Sequence, residues 1–92
     1  MALQQHLTAF LAKRDPPKTF CPSEVARALT ADELAHLGYT EWRDAMPAIR
    51  ELAWTVRDAG ECQILQKGQP IDVDIDDVRG PIRVRRTERN ER

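Results

Sequence analysis

The feature that most constrains this chain is a change of hydrophobic period at Gly60. Up to Ala59 the apolar residues recur at helical spacing. On an ideal helix of about 100° per residue, Trp42, Met46, Ile49, Ala53 and Val56 cluster on one side, and Ala45 and Leu52 widen that face. Directly after Gly60 the chain reads Glu61-Cys62-Gln63-Ile64-Leu65, a strand-like run. The turn sequence Gln66-Lys67-Gly68-Gln69-Pro70 and an acidic loop follow, and the chain returns through Gly80-Pro81-Ile82-Arg83-Val84-Arg85-Arg86. Strands are expected at about Glu61–Gln66 and Pro81–Arg86, with backbone pairing between the Cys62–Leu65 and Ile82–Arg85 regions.

The front half carries its own punctuation. Leu3, Leu7, Phe10 and Leu11 form one stripe of a first helix from Ala2 to about Lys13, and Asp15-Pro16-Pro17 ends it. Lys18-Thr19-Phe20 is a candidate small strand. A second helix starts at Cys21-Pro22-Ser23-Glu24, with proline in the first turn, Glu24 at the positive end of the dipole, and Val25, Ala26 and Leu29 facing the core. Thr30-Ala31-Asp32-Glu33 has the form of a capping box, and opens a short helix with Leu34 and Leu37 inward and Gly38 as its left-handed cap. Thr40 is placed to cap a third main helix, and Pro47 predicts a kink or a fresh start near Met46. Helix, strand, loop and strand after two earlier helices make an α+β winged helix. It has three main helices, one short inserted helix and a two- or three-stranded wing sheet. The domain is expected over residues 1–86, with a flexible basic tail at 87–92.

Ninety-two residues suffice for one modest core. No run is long and apolar enough to span a bilayer, and Met1 to Arg14 lacks the layout of a signal peptide, so no membrane association and a cytoplasmic location are expected. Cys21 and Cys62 have neither metal-ligand nor redox spacing and are expected as free thiols. The net charge of −1 hides an uneven layout: residues 61–78 carry one basic and five acidic side chains, residues 79–92 six and two. Bulk charge therefore does not mark a polyanion binder, and nucleic-acid binding would need a local patch.

Four stretches together resemble a known family. They are Thr19-Phe20-Cys21-Pro22-Ser23-Glu24-Val25-Ala26-Arg27-Ala28-Leu29, Trp42-Arg43 ahead of Met46-Pro47-Ala48-Ile49-Arg50, Lys67-Gly68-Gln69-Pro70, and Arg79-Gly80-Pro81-Ile82-Arg83-Val84-Arg85. In this order, between Lys18 and Arg86, they are similar to the small bacterial winged-helix domains of unknown function. The resemblance implies the architecture and a bacterial origin, and no activity or site. The chain departs from that pattern in the segment Ala31 to Tyr39, which looks inserted, and in the longer acidic run Asp72-Val73-Asp74-Ile75-Asp76-Asp77.

Two basic constellations stand out. Arg43, Arg50, Trp54 and Arg57 lie within about 60° of one another on the outer flank of the third main helix, which a winged helix usually places in the major groove. The arginines there suit phosphates or guanine edges, and Trp54 suits stacking or wedging. The other reading is a solvated charged face beside the stripe Asp44, Glu51 and Asp58, with Trp54 packed inward. The second constellation is the wing set Lys67, Arg79, Arg83, Arg85 and Arg86, with Arg83 and Arg85 on one strand face. Its alternative is an exposed strand face that resists edge aggregation.

The acidic run starts like an EF-hand loop. Asp77 stands where that loop needs glycine, however, and Arg83 where it needs glutamate, so no metal is expected and a solvated loop is. Cys21 at a helix start suggests a capping or buried thiol, and His6 and His36 fall on polar positions expected in solvent. No phosphate loop, carboxylate pair or nucleophile motif is present, so neither an enzyme nor a cofactor is expected. The leading expectation is a DNA-binding protein, in a regulatory role, that meets duplex DNA with the two arginine sets. The alternative is a protein-interaction module on the same fold. A continuous positive band would favour the first, and an exposed apolar patch near Trp54 the second.

Overall fold

A computed structural model describes residues 2–14 and 18–87. The chain runs α1 (Ala2–Lys13), α2 (Pro22–Arg27), α3 (Ala31–His36), a 3-10 turn (Trp42–Ala45), α4 (Met46–Asp58), β1 (Cys62–Gln66), β2 (Gln69–Pro70), a second 3-10 turn (Ile75–Asp77) and β3 (Arg83–Arg86). The strands form one antiparallel sheet in the order β2-β1-β3. Phe20 extends it by one bridge, donating to the Val84 carbonyl at 2.9 Å and accepting from the Val84 N–H at 2.7 Å. This is an α+β winged-helix-like arrangement: main helices α1, α2 and α4, a short α3 between α2 and α4, and a three-stranded sheet. The expected pairing holds, with Cys62 opposite Arg86, Gln63 opposite Arg85, Ile64 opposite Val84 and Leu65 opposite Arg83. The double proline after α1 and residues 88–92 of the expected tail lie outside the described residues, while the N–H of Thr87, its first residue, donates to the Glu61 carbonyl at 3.1 Å.

The core gathers one face of every main element. Leu3, Leu7 and Leu11 of α1 meet Val25, Ala26 and Leu29, then Ile49, Ala53 and Trp54 of α4, and Ile64, Ile82 and Val84 of the sheet region. Phe20 is fully buried among them, and its ring lies 5.3 Å from that of Phe10.

Local chemistry fixes the ends of the elements. The Glu24 carboxylate accepts from the Cys21 N–H at 2.9 Å and from Arg14 at 3.0 Å, which ties the start of α2 to the end of α1. Thr30 and Glu33 form the expected reciprocal box, at 2.9 and 3.1 Å. Glu33 also bonds His6 at 2.9 Å, so His6 is half-buried against α3 instead of lying in solvent. Gly60 ends α4 with a φ of +83°. Its N–H reaches the Arg57 carbonyl at 2.8 Å and the Glu61 N–H reaches that of Val56 at 3.1 Å, the two bonds of a Schellman motif. β1 and β2 are joined through Lys67 and Gly68, both at positive φ (52° and 79°), as a type I′ hairpin turn requires.

The entry to α4 differs from the sequence reading. Thr40 is not its cap. Proline at 47 has no N–H for the Arg43 carbonyl, which accepts from the Met46 N–H instead. That one-residue tightening makes Trp42–Ala45 a 3-10 turn and starts the α-helix afresh at Met46. The capping acceptor is Asp44, whose carboxylate takes the N–H groups of Thr40 and Glu41 at 3.1 Å each.

Candidate interaction surfaces

The α4 flank is built by a segment far from it in sequence. After β2, the Ile71 N–H bonds the Ile64 carbonyl at 2.8 Å, and Ile71, Ile75 and Val78 pack half-buried on the core. The acidic run is thereby laid along α4, while its aspartates Asp72, Asp74, Asp76 and Asp77 stay exposed to solvent, as expected. Its Val73 carbonyl accepts from Trp54 Nε1 at 2.8 Å and from Arg57 Nη1 at 2.8 Å.

This contact reassigns two of the proposed groove residues. Trp54 is 6% exposed, so it offers no ring to a base or a minor groove, and the packed alternative holds. Its wheel position places it outside only if nothing covers that side of α4. Arg57 does not point away from the protein: its side chain is 16% exposed, lies 5.6 Å from the Trp54 ring, and also donates to Asp58 at 3.0 and 3.2 Å. Arg50 is half-buried at the edge of the same flank. The outward stripe of α4 is Pro47, Glu51, Thr55 and Asp58, all exposed. Two of those four are carboxylates.

Most wing arginines are likewise engaged. Arg83 donates to the Thr19 hydroxyl at 3.0 Å and to its carbonyl at 3.2 Å. Arg85 reaches across the sheet to the Gln63 side chain at 2.9 Å, on the face it shares with Arg83. Arg86 donates to the Leu11 and Ala12 carbonyls at 3.2 and 3.3 Å, capping the negative end of α1. Arg79 is exposed, with long contacts to the Asp76 and Val78 carbonyls, and its own carbonyl is held by Gln66. Of the nine expected nucleic-acid contacts, the side chains of Arg43, Arg50 and Lys67 make no hydrogen bond among the described residues, and Arg43 has one ion pair, to Glu41. Lys67 sits alone at the hairpin tip.

A third arrangement escaped the sequence reading. The Trp42 ring, assigned there to the core side, is half-buried with the guanidinium carbons of Arg27 and Arg43 at 4.8 and 4.7 Å from its centroid. Arg27 ends α2 and Arg43 lies in the 3-10 turn, so no spacing along one element announces the cluster.

Cys21 and Cys62 are unpaired. Burial pushes the Cys62 thiol up to about 11, and Sγ donates to the Ala53 carbonyl at 3.6 Å. Cys21 is half-buried and accepts from Ser23 Oγ at 3.2 Å. Among the described residues no three His, Cys, Asp or Glu side chains gather to hold a metal. No described helix is long and apolar enough to cross a membrane.

The chain belongs to a family described as proteins of unknown function, DUF3253, whose model matches residues 1–87. Comparison with curated proteins finds no match.

Proposed function

We propose that this domain is a protein-interaction module that uses the winged-helix arrangement without reading DNA through α4. The observation that carries this reading is the shared Val73 carbonyl, which holds the acidic segment over the α4 arginine flank. The side of α4 that would enter a groove then presents Glu51 and Asp58, with Asp72 and Asp74 alongside, and phosphates are repelled by such a surface. Val73 is the exposed large hydrophobic residue of the described chain, at 39%, and its carbonyl is held by Trp54. An apolar contact point rimmed by carboxylates suits a protein surface with an apolar residue among basic ones. Two unpaired thiols suit a reducing compartment, and we place the domain in the bacterial cytoplasm.

The test is a pair of titrations at two salt concentrations. Mixed-sequence duplex DNA is expected to show no binding tighter than about 10⁻⁴ M at physiological salt. A peptide of alternating leucine and arginine is expected to shift the amide resonances of Glu51, Thr55, Asp58 and residues 72–74, more weakly in Val73→Ser. Tight duplex binding that is lost in Arg50→Ala would overturn the reading and restore the DNA-binding alternative.

A further inference from the structure

Arginines in this protein stack on aromatic rings in two different ways. Arg14 lies 5.3 Å from the Phe10 ring and Arg57 5.6 Å from the Trp54 ring, and both also spend their donors inside the fold, on Glu24 and Thr19 or on Val73 and Asp58. Their role is structural. Arg27 and Arg43 stack closer, on one ring, and neither side chain makes a hydrogen bond among the described residues. Arg27 is exposed, and its side chain makes no hydrogen bond or ion pair among the described residues. Arg43 has a single ion pair, to Glu41 at 3.6 Å, with both side chains more than half exposed.

Such a pair is preorganised for an anion. Stacking on indole removes much of the rotamer freedom of a long side chain, so less is lost when a ligand is bound. The guanidinium edges keep the planar fork that matches a carboxylate. The supporting ring is itself held, because Trp42 packs half-buried against the core from the 3-10 turn that Pro47 and Asp44 impose.

We propose that Arg27, Trp42 and Arg43 form a clamp for the carboxylates of an acidic peptide segment. The surroundings favour discrete carboxylates over a polyphosphate. Glu41 and Asp44 are exposed beside the clamp, and the whole chain carries a net charge of −1. A duplex brings charge along its whole length and would meet those carboxylates, whereas a peptide can present its charges only where the guanidinium groups are. Trp42 adds a half-buried apolar edge for the peptide's backbone or methylene groups. The clamp shares no residue with the Val73 surface, so either can fail without the other.

The experiment titrates the full chain with a glutamate-rich peptide, followed by the Trp42 indole resonance and by calorimetry. Mixed-sequence duplex DNA is the second ligand. The expected result is a shift confined to Trp42, Arg27 and Arg43, and affinity at least tenfold lower in Arg27→Gln/Arg43→Gln. Arg27→Lys/Arg43→Lys keeps the charge but loses the fork, and should recover little of the binding. The clamp is overturned if the peptide leaves the Trp42 resonance in place, if the lysine variant binds as wild type does, or if duplex DNA binds the clamp more tightly than the peptide at equal salt. Should a variant fail to fold, the wild-type resonance map decides alone.

Discussion

Trp54 and Arg57, one turn apart on α4, donate to the same carbonyl, that of Val73, each at 2.8 Å. A buried indole N–H needs an acceptor, and a guanidinium can lay its stem on apolar surface while its head finds one. One carbonyl with two lone pairs serves both, and so anchors the acidic segment at a point where its side chains alone would drift into solvent.

This sharing predicts non-additive energetics. Trp54→Phe leaves Arg57 on the carbonyl, and Arg57→Ala leaves Trp54 there. Each single substitution is expected to cost about 1–2 kcal/mol in urea unfolding. The double substitution strands the carbonyl and should cost at least about 0.5 kcal/mol more than the two together. Hydrogen exchange at residues 72–77 should rise most in the double variant. Strict additivity would mean that the carbonyl does not couple the pair.

Arg50 and Arg57 should differ, although the helical wheel makes them equivalent. Arg50→Ala is expected to change stability by less than about 0.5 kcal/mol, as at an ordinary surface position. Arg57→Ala carries the cost given above. Equal effects in parallel thermal melts would argue against the Val73 contact.

The thiols should react in sequence. Burial disfavours the Cys62 thiolate, with its pKa raised to about 11, and the residue is 3% exposed. A thiol reagent at pH 8 is expected to label Cys21 first and Cys62 at the rate of opening of the fold, with both labelled at once in urea. Rapid labelling of Cys62 in native protein would place it outside the core.

Acid should loosen the caps. The N–H of Cys21, then Arg14, holds the Glu24 carboxyl below its ordinary value of 4.5. The N–H of Thr30, then His6, does the same for Glu33. A depressed folded-state pKa adds stability above the unfolded value, and that stability is lost as pH falls through the folded one. Stability should therefore drop below about pH 4.5, and the drop should be smaller in Glu24→Gln and Glu33→Gln. The same pH profile in all three proteins would contradict this.

Phe20 should be among the costliest positions in the chain. It is fully buried and bridges to Val84, whereas its partner Phe10 is half-buried. Phe20→Ala is expected to cost about 3–5 kcal/mol, and Phe10→Ala clearly less, by chemical denaturation. The reverse order would place the core elsewhere.

The sequence was legible wherever structure is set by near neighbours. The change of period at Gly60, the Thr30–Glu33 box and the restart forced by Pro47 all act within a few residues. The fate of the arginines is set at long range: Arg83 meets Thr19 and Arg86 meets Leu11, 64 and 75 residues away. A helical wheel for α4 contains no information about what lies on it. One signal was present but weak. Ile71, Ile75 and Val78 punctuate the acidic run with apolar residues at a spacing that lets the segment pack on one side, although Val73, which shares the alternation, stays exposed. The Arg27–Trp42–Arg43 stack left no such trace, because its members come from two elements.

The short helix α3 has a use that its caps make possible. α3 closes its own ends, through the Thr30 box and the bonds of Gly38 and Tyr39 to Ala35 and Leu34, and none of its residues is fully buried. It is a cassette, self-terminated at both ends. Residues 32, 35 and 36 face outward and can be rewritten, for a fluorophore, a spin label or an affinity handle, without disturbing α4 or the sheet. A label there would belong to neither proposed surface.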